Sequence, residues 1–67
     1  MTTAEMTRKL GNAVRDLHGR KLTNGQWFRR PNPSAKVNVE RWIWRLQRKG
    51  VEFRPEQITN LTTLKNV

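Results

Sequence analysis

The chain has no cysteine, one histidine and only five acidic residues among 67. Without cysteine there are no disulfides and no thiolate metal sites. A lone imidazole, His18, cannot assemble a zinc site by itself. The carboxylates Glu5, Asp16, Glu40, Glu52 and Glu56 are spread at no metal-ligand spacing and form no paired-acid signature. His18 has no acid–nucleophile constellation beside it and is expected to interact with the last carbonyls of its own helix. No enzyme and no cofactor are therefore expected. The longest apolar run is Trp42-Ile43-Trp44, far short of the ~20 residues of a membrane span. The N-terminus carries no apolar signal-like stretch, so the expected location is the cytoplasm, with no membrane partner. Asn60-Leu61-Thr62 matches a glycosylation tripeptide, which without a secretion signal reads as chance. Linkers, repeats and low-complexity tracts are also missing, and residues 1–67 read as one domain. A domain this short hides only ~60% of its unfolded surface. With 34% hydrophobic residues its core must be thin.

Basic residues, by contrast, are abundant. Fourteen Lys and Arg give a formal charge of +9. Nine of them (Arg20, Lys21, Arg29, Arg30, Lys36, Arg41, Arg45, Arg48, Lys49) lie between positions 20 and 49, where Glu40 is the only acid. The flanks nearly cancel. A merely solubilising surface mixes signs throughout, so this concentration points to a phosphate-bearing partner.

The first element reads as a helix over about residues 3–18. Thr2 and Glu5 match a capping box, and Gly19 supplies a stop. Met6, Leu10, Ala13, Val14 and Leu17 share one face at the helical period, with Arg8, Asn12 and Arg15 opposite. Gly11 weakens this helix without overturning it. From Lys21 to Arg29, Asn24-Gly25 between short β-compatible runs signals a hairpin with a type I′ turn. A simple loop carrying Trp27 and Phe28 into the core is the alternative, and at least one of these rings is expected to be buried. Pro31-Asn32-Pro33 is a break, after which a short helical turn could start at Ser34.

The best-defined element spans residues 39–49, with Asn38 as N-cap, Glu40 in the first turn, and Gly50 beyond the end. Val39, Trp42, Ile43 and Leu46 form one apolar stripe. Arg41, Trp44, Arg45 and Arg48 form a second on the opposite face. One face packs and the other presents three guanidinium groups and an indole. Arginine forks suit phosphates and the guanine edge. After Gly50, Val51-Glu52-Phe53-Arg54 alternates as a short strand would. Over residues 55–67 helix and strand both stay open, because Pro55-Glu56 can start a helix while the threonines favour strand.

The stretch Val39-Glu40-Arg41-Trp42-Ile43-Trp44-Arg45-Leu46-Gln47-Arg48-Lys49-Gly50-Val51-Glu52-Phe53 resembles the recognition helix and first wing strand of small phage-type winged-helix DNA-binding regulators. The similarity covers about residues 38–54. In that pattern an arginine-rich helix ends in Leu-x-x-x-Gly, here Leu46 and Gly50, and runs into an alternating strand, here Val51 and Phe53. The resemblance implies duplex DNA binding, with Arg41, Trp44, Arg45 and Arg48 facing a groove and the segment after Gly50 as a wing. A helix-turn-helix also needs a helix just before the recognition helix. Asn24-Gly25 and Pro31-Asn32-Pro33 occupy that place, so it is either reduced to a turn around residues 34–37 or replaced by another α/β arrangement. Size and charge also suit small phage accessory proteins such as excisionases.

The expected fold is thus α+β and winged-helix-like: two main helices, a short hairpin or extended loop between them, and a short strand after the second helix. The expected function is binding of double-stranded DNA by a small transcription regulator, excisionase-like or architectural protein. Arg29, Arg30, Lys36 and Lys49 would clamp phosphates while Arg41, Trp44, Arg45 and Arg48 meet the DNA. Two other classes fit the same residues. One is RNA or single-strand binding, with Trp27, Phe28 and Trp44 as stacking platforms. The other is a protein-interaction module that docks on an acidic surface of a host enzyme, anchored by tryptophan and arginine.

Overall fold

Thr2 opens the first helix, α1 (Thr3–His18), where its Oγ1 accepts the Glu5 amide at 3.2 Å. The computed structural model describes residues 1–64. Residues 65–67, the end of the undecided stretch, lie outside the described residues. After α1 come β1 (Arg20–Lys21), β2 (Trp27–Arg29), a 3-10 turn (Pro33–Ala35), α2 (Lys36–Arg48) and α3 (Pro55–Thr62). The α+β class holds, with three helices where the sequence suggests two and one antiparallel two-stranded sheet. No helix among the described residues is long and apolar enough to cross a membrane.

Met6, Leu10, Ala13 and Leu17 bury one face of α1 against Ala35, Val39, Ile43 and Leu46. The two helices run antiparallel. Met6 shares a surface groove with Arg48 and Lys49, while Asp16 shares one with Asn38 at the other end. No polar or charged side chain is buried among the described residues.

α2 begins three residues before the expected start, and Asn38 is not its cap. The capping side chain is Asn32, whose Oδ1 accepts the Ser34 amide at 3.1 Å, and the 3-10 turn runs straight into α2. Ala35 and Val39 are both buried on the α1 side, so the chain is already helical when it reaches Asn38. Glu40 therefore falls outside the first turn, which contains no acid. The far end matches expectation. The Gly50 amide donates to Gln47 O at 3.0 Å and the Val51 amide to Leu46 O at 3.1 Å, which is a Schellman ending.

The strand expected after α2 does not form. Val51 and Phe53 are half-buried and Glu52 exposed, so the alternation is real, but it packs two side chains on the core instead of pairing an edge. The sheet lies out of reach. It follows the C-terminus of α1, whereas Val51 leaves α2 beside the N-terminus of α1, and a 16-residue helix is ~24 Å long. The segment after Gly50 is not a wing strand.

α3 resolves the ambiguity beyond Pro55 as helix. Gln57 Oε1 accepts the Arg54 amide at 2.8 Å. The threonines are accommodated by hydroxyl bonds one turn back, Thr59 to Pro55 O at 3.0 Å and Thr62 to Ile58 O at 2.7 Å. Ile58, Leu61 and Leu64 pack against the core. The helix returns to the end of α1, where His18 Nε2 bonds Leu61 O at 2.8 Å. The imidazole thus serves a carbonyl of α3 and not, as expected, the end of its own helix.

The hairpin also departs from expectation. Asn24 keeps a negative φ while Gly25 has φ 88°, which excludes a type I′ turn. The Gly25 amide instead donates to Leu22 O at 3.0 Å and the Leu22 amide to Gln26 O at 2.7 Å. This is a three-residue loop with glycine in the left-handed position. Arg20 pairs with Arg29 and Lys21 with Trp27, which leaves Phe28 as an extra residue in β2. Phe28 is 69% exposed and Trp27 half-buried away from the core. Neither ring is core, because the small side chains Ala13 and Ala35 already let the helices close on aliphatic contacts.

Candidate nucleic-acid interface

Burial of Val39, Ile43 and Leu46 against α1 turns the other side of α2 outward. Arg41, Trp44, Arg45 and Arg48 are all exposed there, as the helical spacing predicts. Val37 extends the row. Positions 37, 41, 44 and 48 fall on one line of the helix surface, and Val37 is 61% exposed. Val37 lies ahead of the helix that the pattern over residues 39–49 predicts, so the sequence alone does not point to it.

Two of the arginines are held by indoles. The Arg48 guanidinium lies 4.8 Å from the Trp44 ring centroid, and that of Arg45 lies 4.9 Å from Trp42. Stacking of this kind contributes ~0.5–1 kcal/mol at exposed sites and restricts an otherwise loose side chain. The guanidinium edges stay free to donate while the faces are covered. Arg41 has no such partner among the described residues.

The four phosphate-clamp candidates divide between the ends of α2. Lys36 is its first residue and Lys49 its C-cap, ~20 Å apart along the axis. Lys49 joins Trp44, Arg45 and Arg48 around one shallow groove. Arg29 and Arg30 belong to the hairpin at the opposite end, the end where α2 starts. Arg30 is exposed with no ion pair among the described residues, but Arg29 is not free. Its Nη1 donates to Asp16 Oδ1 at 2.8 Å.

The hairpin carries two further stacked pairs, Arg20 over Phe28 at 5.6 Å and Lys21 over Trp27 at 5.4 Å. In the sequence Arg20 and Lys21 register as charge alone, with no assigned role. The available signal was their position across the short strands from Trp27-Phe28-Arg29. No group of three His, Cys, Asp or Glu side chains that could hold a metal occurs among the described residues. The fold and surface together define a small α+β domain with a cationic, aromatic-studded helix face. Comparisons with family models, curated proteins and solved structures give no match.

Proposed function

We propose that this protein binds double-stranded DNA with the outer face of α2, as a small regulatory or architectural protein of the phage transcription-regulator or excisionase-like kind. The carrying observation is the division of α2 into a face buried on α1 and a face of three exposed arginines, two already ordered on indoles. Side chains ordered before contact lose less entropy on binding. The resemblance to winged-helix regulators supports this reading through its recognition-helix half alone, since the strand after Gly50 is absent. Lys36, Arg30 and Lys49 add phosphate contacts at the two ends of the helix. With two more from the α2 arginines, about five phosphate contacts give a log–log salt slope near −4.5.

Fluorescence anisotropy of labelled duplex DNA, single-stranded DNA and structured RNA, each at ~50 and ~200 mM salt, tests the proposal. Preference for the duplex, a steep salt slope and weakening by Arg45→Ala are expected. Equal weak binding to every polyanion, unaffected by Arg45→Ala, would refute it. A second reading, docking on an acidic protein surface, is favoured by Trp44, which is 55% exposed beside Arg48. Tryptophan and arginine are the preferred anchors of protein interfaces. An acidic partner that binds wild type and fails to bind Trp44→Ala, with no nucleic-acid affinity present, would select it.

A further inference from the structure

Where the hairpin meets the end of α1, Arg15, Gly19, Arg20, Phe28 and Arg29 line an open cavity of about 490 Å³. We propose that this cavity is a second nucleic-acid site that takes one unpaired nucleotide of a DNA strand. The base stacks on Phe28 in the place the Arg20 guanidinium holds over the ring, and Arg15 with the displaced Arg20 meets the phosphate. The inference rests on the protein being a nucleic-acid binder, but not on α2 being its contact surface.

Shape is the first argument. The volume lies within the ~300–1,000 Å³ of small-ligand clefts. A convex helix suits the groove of a duplex, whereas a concave site with an aromatic wall suits a single base taken out of the stack.

Charge is the second. Three guanidiniums and no carboxylate line the cavity. The single ion pair among the described residues joins Arg29 to Asp16, which leaves Arg15 and Arg20 for an anion. Charge alone would accept any anion; the ring narrows the choice. Phe28 is the extra residue of β2 and stays 69% exposed, with Arg20 over it at 5.6 Å.

The third argument is that the backbone carrying the walls is fixed in advance. The Asn32 amide donates to Asp16 O at 2.9 Å and Leu17 O at 3.2 Å, which fastens the strand exit to α1. Gly19 has φ 70°, and a Cβ there would run into the carbonyl oxygen of Arg29 and the nitrogen of Pro31. The hairpin backbone is therefore seated directly on the end of α1. A backbone seated in this way leaves only side chains to order on binding.

The test uses the full chain and three probes: a fully paired duplex, the same duplex with one bulged adenine, and free deoxyadenosine monophosphate as competitor. Wild type, Phe28→Ala, Phe28→Leu and Arg45→Ala are compared. The bulged duplex is expected to bind at least about fivefold tighter than the paired one, the lower end of what one stacked base contributes. Phe28→Ala should abolish that preference while affinity for the paired duplex is unchanged. Phe28→Leu, which keeps apolar bulk without the ring, should abolish it as well. Arg45→Ala should weaken both duplexes equally and leave the ratio intact. Equal affinity of wild type for both duplexes, or a preference that survives Phe28→Ala, would overturn the proposal and leave the α2 reading standing. Preference for the bulge with no affinity for paired duplex would support this site and refute the α2 reading. Loss of the preference at micromolar free nucleotide would overturn the strand as the source and make the free nucleotide the ligand.

Discussion

The Arg29 guanidinium donates to the Asp16 carboxylate across 2.8 Å and ties β2 to the last turn of α1. Both side chains are more than half exposed, at 59% and 51%. Such a pair stabilises the fold by no more than ~1 kcal/mol. Its larger effect is to neutralise a cation that would otherwise face a polyanion. Asp16→Asn should therefore leave urea stability within ~1 kcal/mol of wild type. DNA affinity should rise, and the salt slope should steepen by roughly 0.9 as Arg29 gains a phosphate. Anisotropy at several salt concentrations reads both quantities.

On α2, the arginines separate charge from geometry. Alanine at Arg41, Arg45 or Arg48 should each flatten the salt slope by roughly 0.9 if that residue meets a phosphate. Arg45→Lys and Arg48→Lys keep the charge but lose the planar fork on Trp42 and Trp44. These two variants should keep the slope and bind more weakly at every salt concentration.

Leu46 and Phe28 test where the core ends. Leu46 is 1% exposed on the face of α2 that packs against α1. Leu46→Ala should cost about 2–5 kcal/mol. A core in a domain this small rarely supplies more than ~3–5 kcal/mol in total. Most of the helical circular dichroism should accordingly be lost at 25 °C. Phe28→Ala, outside that core, should change stability by less than ~0.5 kcal/mol. An equal loss in the two variants would contradict the placement of the hairpin.

Gly11 inside α1 and Gly19 at its C-cap should respond in opposite directions. A Cβ on Gly11 meets nothing within 4 Å, so Gly11→Ala should stabilise the helix by roughly 0.5–1 kcal/mol. Gly19, at φ 70° and ψ −169°, occupies backbone space that is essentially glycine's alone. Gly19→Ala adds a collision with Arg29 O to that strain and should destabilise by ~2 kcal/mol or more. Thermal melts of the two variants on either side of wild type would verify the pair.

The elements legible in the sequence are those whose signals are local. The limits of α1 follow from Thr2, Gly19 and the spacing of Met6, Leu10, Ala13 and Leu17, all within one stretch of chain. The two faces of α2 follow from its spacing in the same way. Misreadings arise where distant contacts decide. Asn38 is an attractive cap in isolation, but burial of Ala35 and Val39 on α1 makes the chain helical before it. Val51-Glu52-Phe53 alternates like a strand, yet the only strand edges among the described residues lie a helix length away. Trp27 and Phe28 look like core because large apolar rings usually are. Whether they are needed there depends on how closely Ala13 and Ala35 let two helices approach, which no local pattern reports. The α2 face was therefore readable, and the cavity beside Phe28 was not.

The cation stacking has a spectroscopic consequence. The chain has three tryptophans and no tyrosine, and no tryptophan is buried. Lys21 covers Trp27, Arg45 covers Trp42 and Arg48 covers Trp44. Trp44 emits from the surface beside Arg48, whereas Trp42 is half-buried against the core and Trp27 is half-buried in the hairpin. Denaturant should shift the emission to the red chiefly by freeing Trp42 from the core. A bound partner that covers an indole or draws a cation away should change emission intensity with the helices intact. One optical channel thus carries both events, unfolding through Trp42 and binding through Trp44.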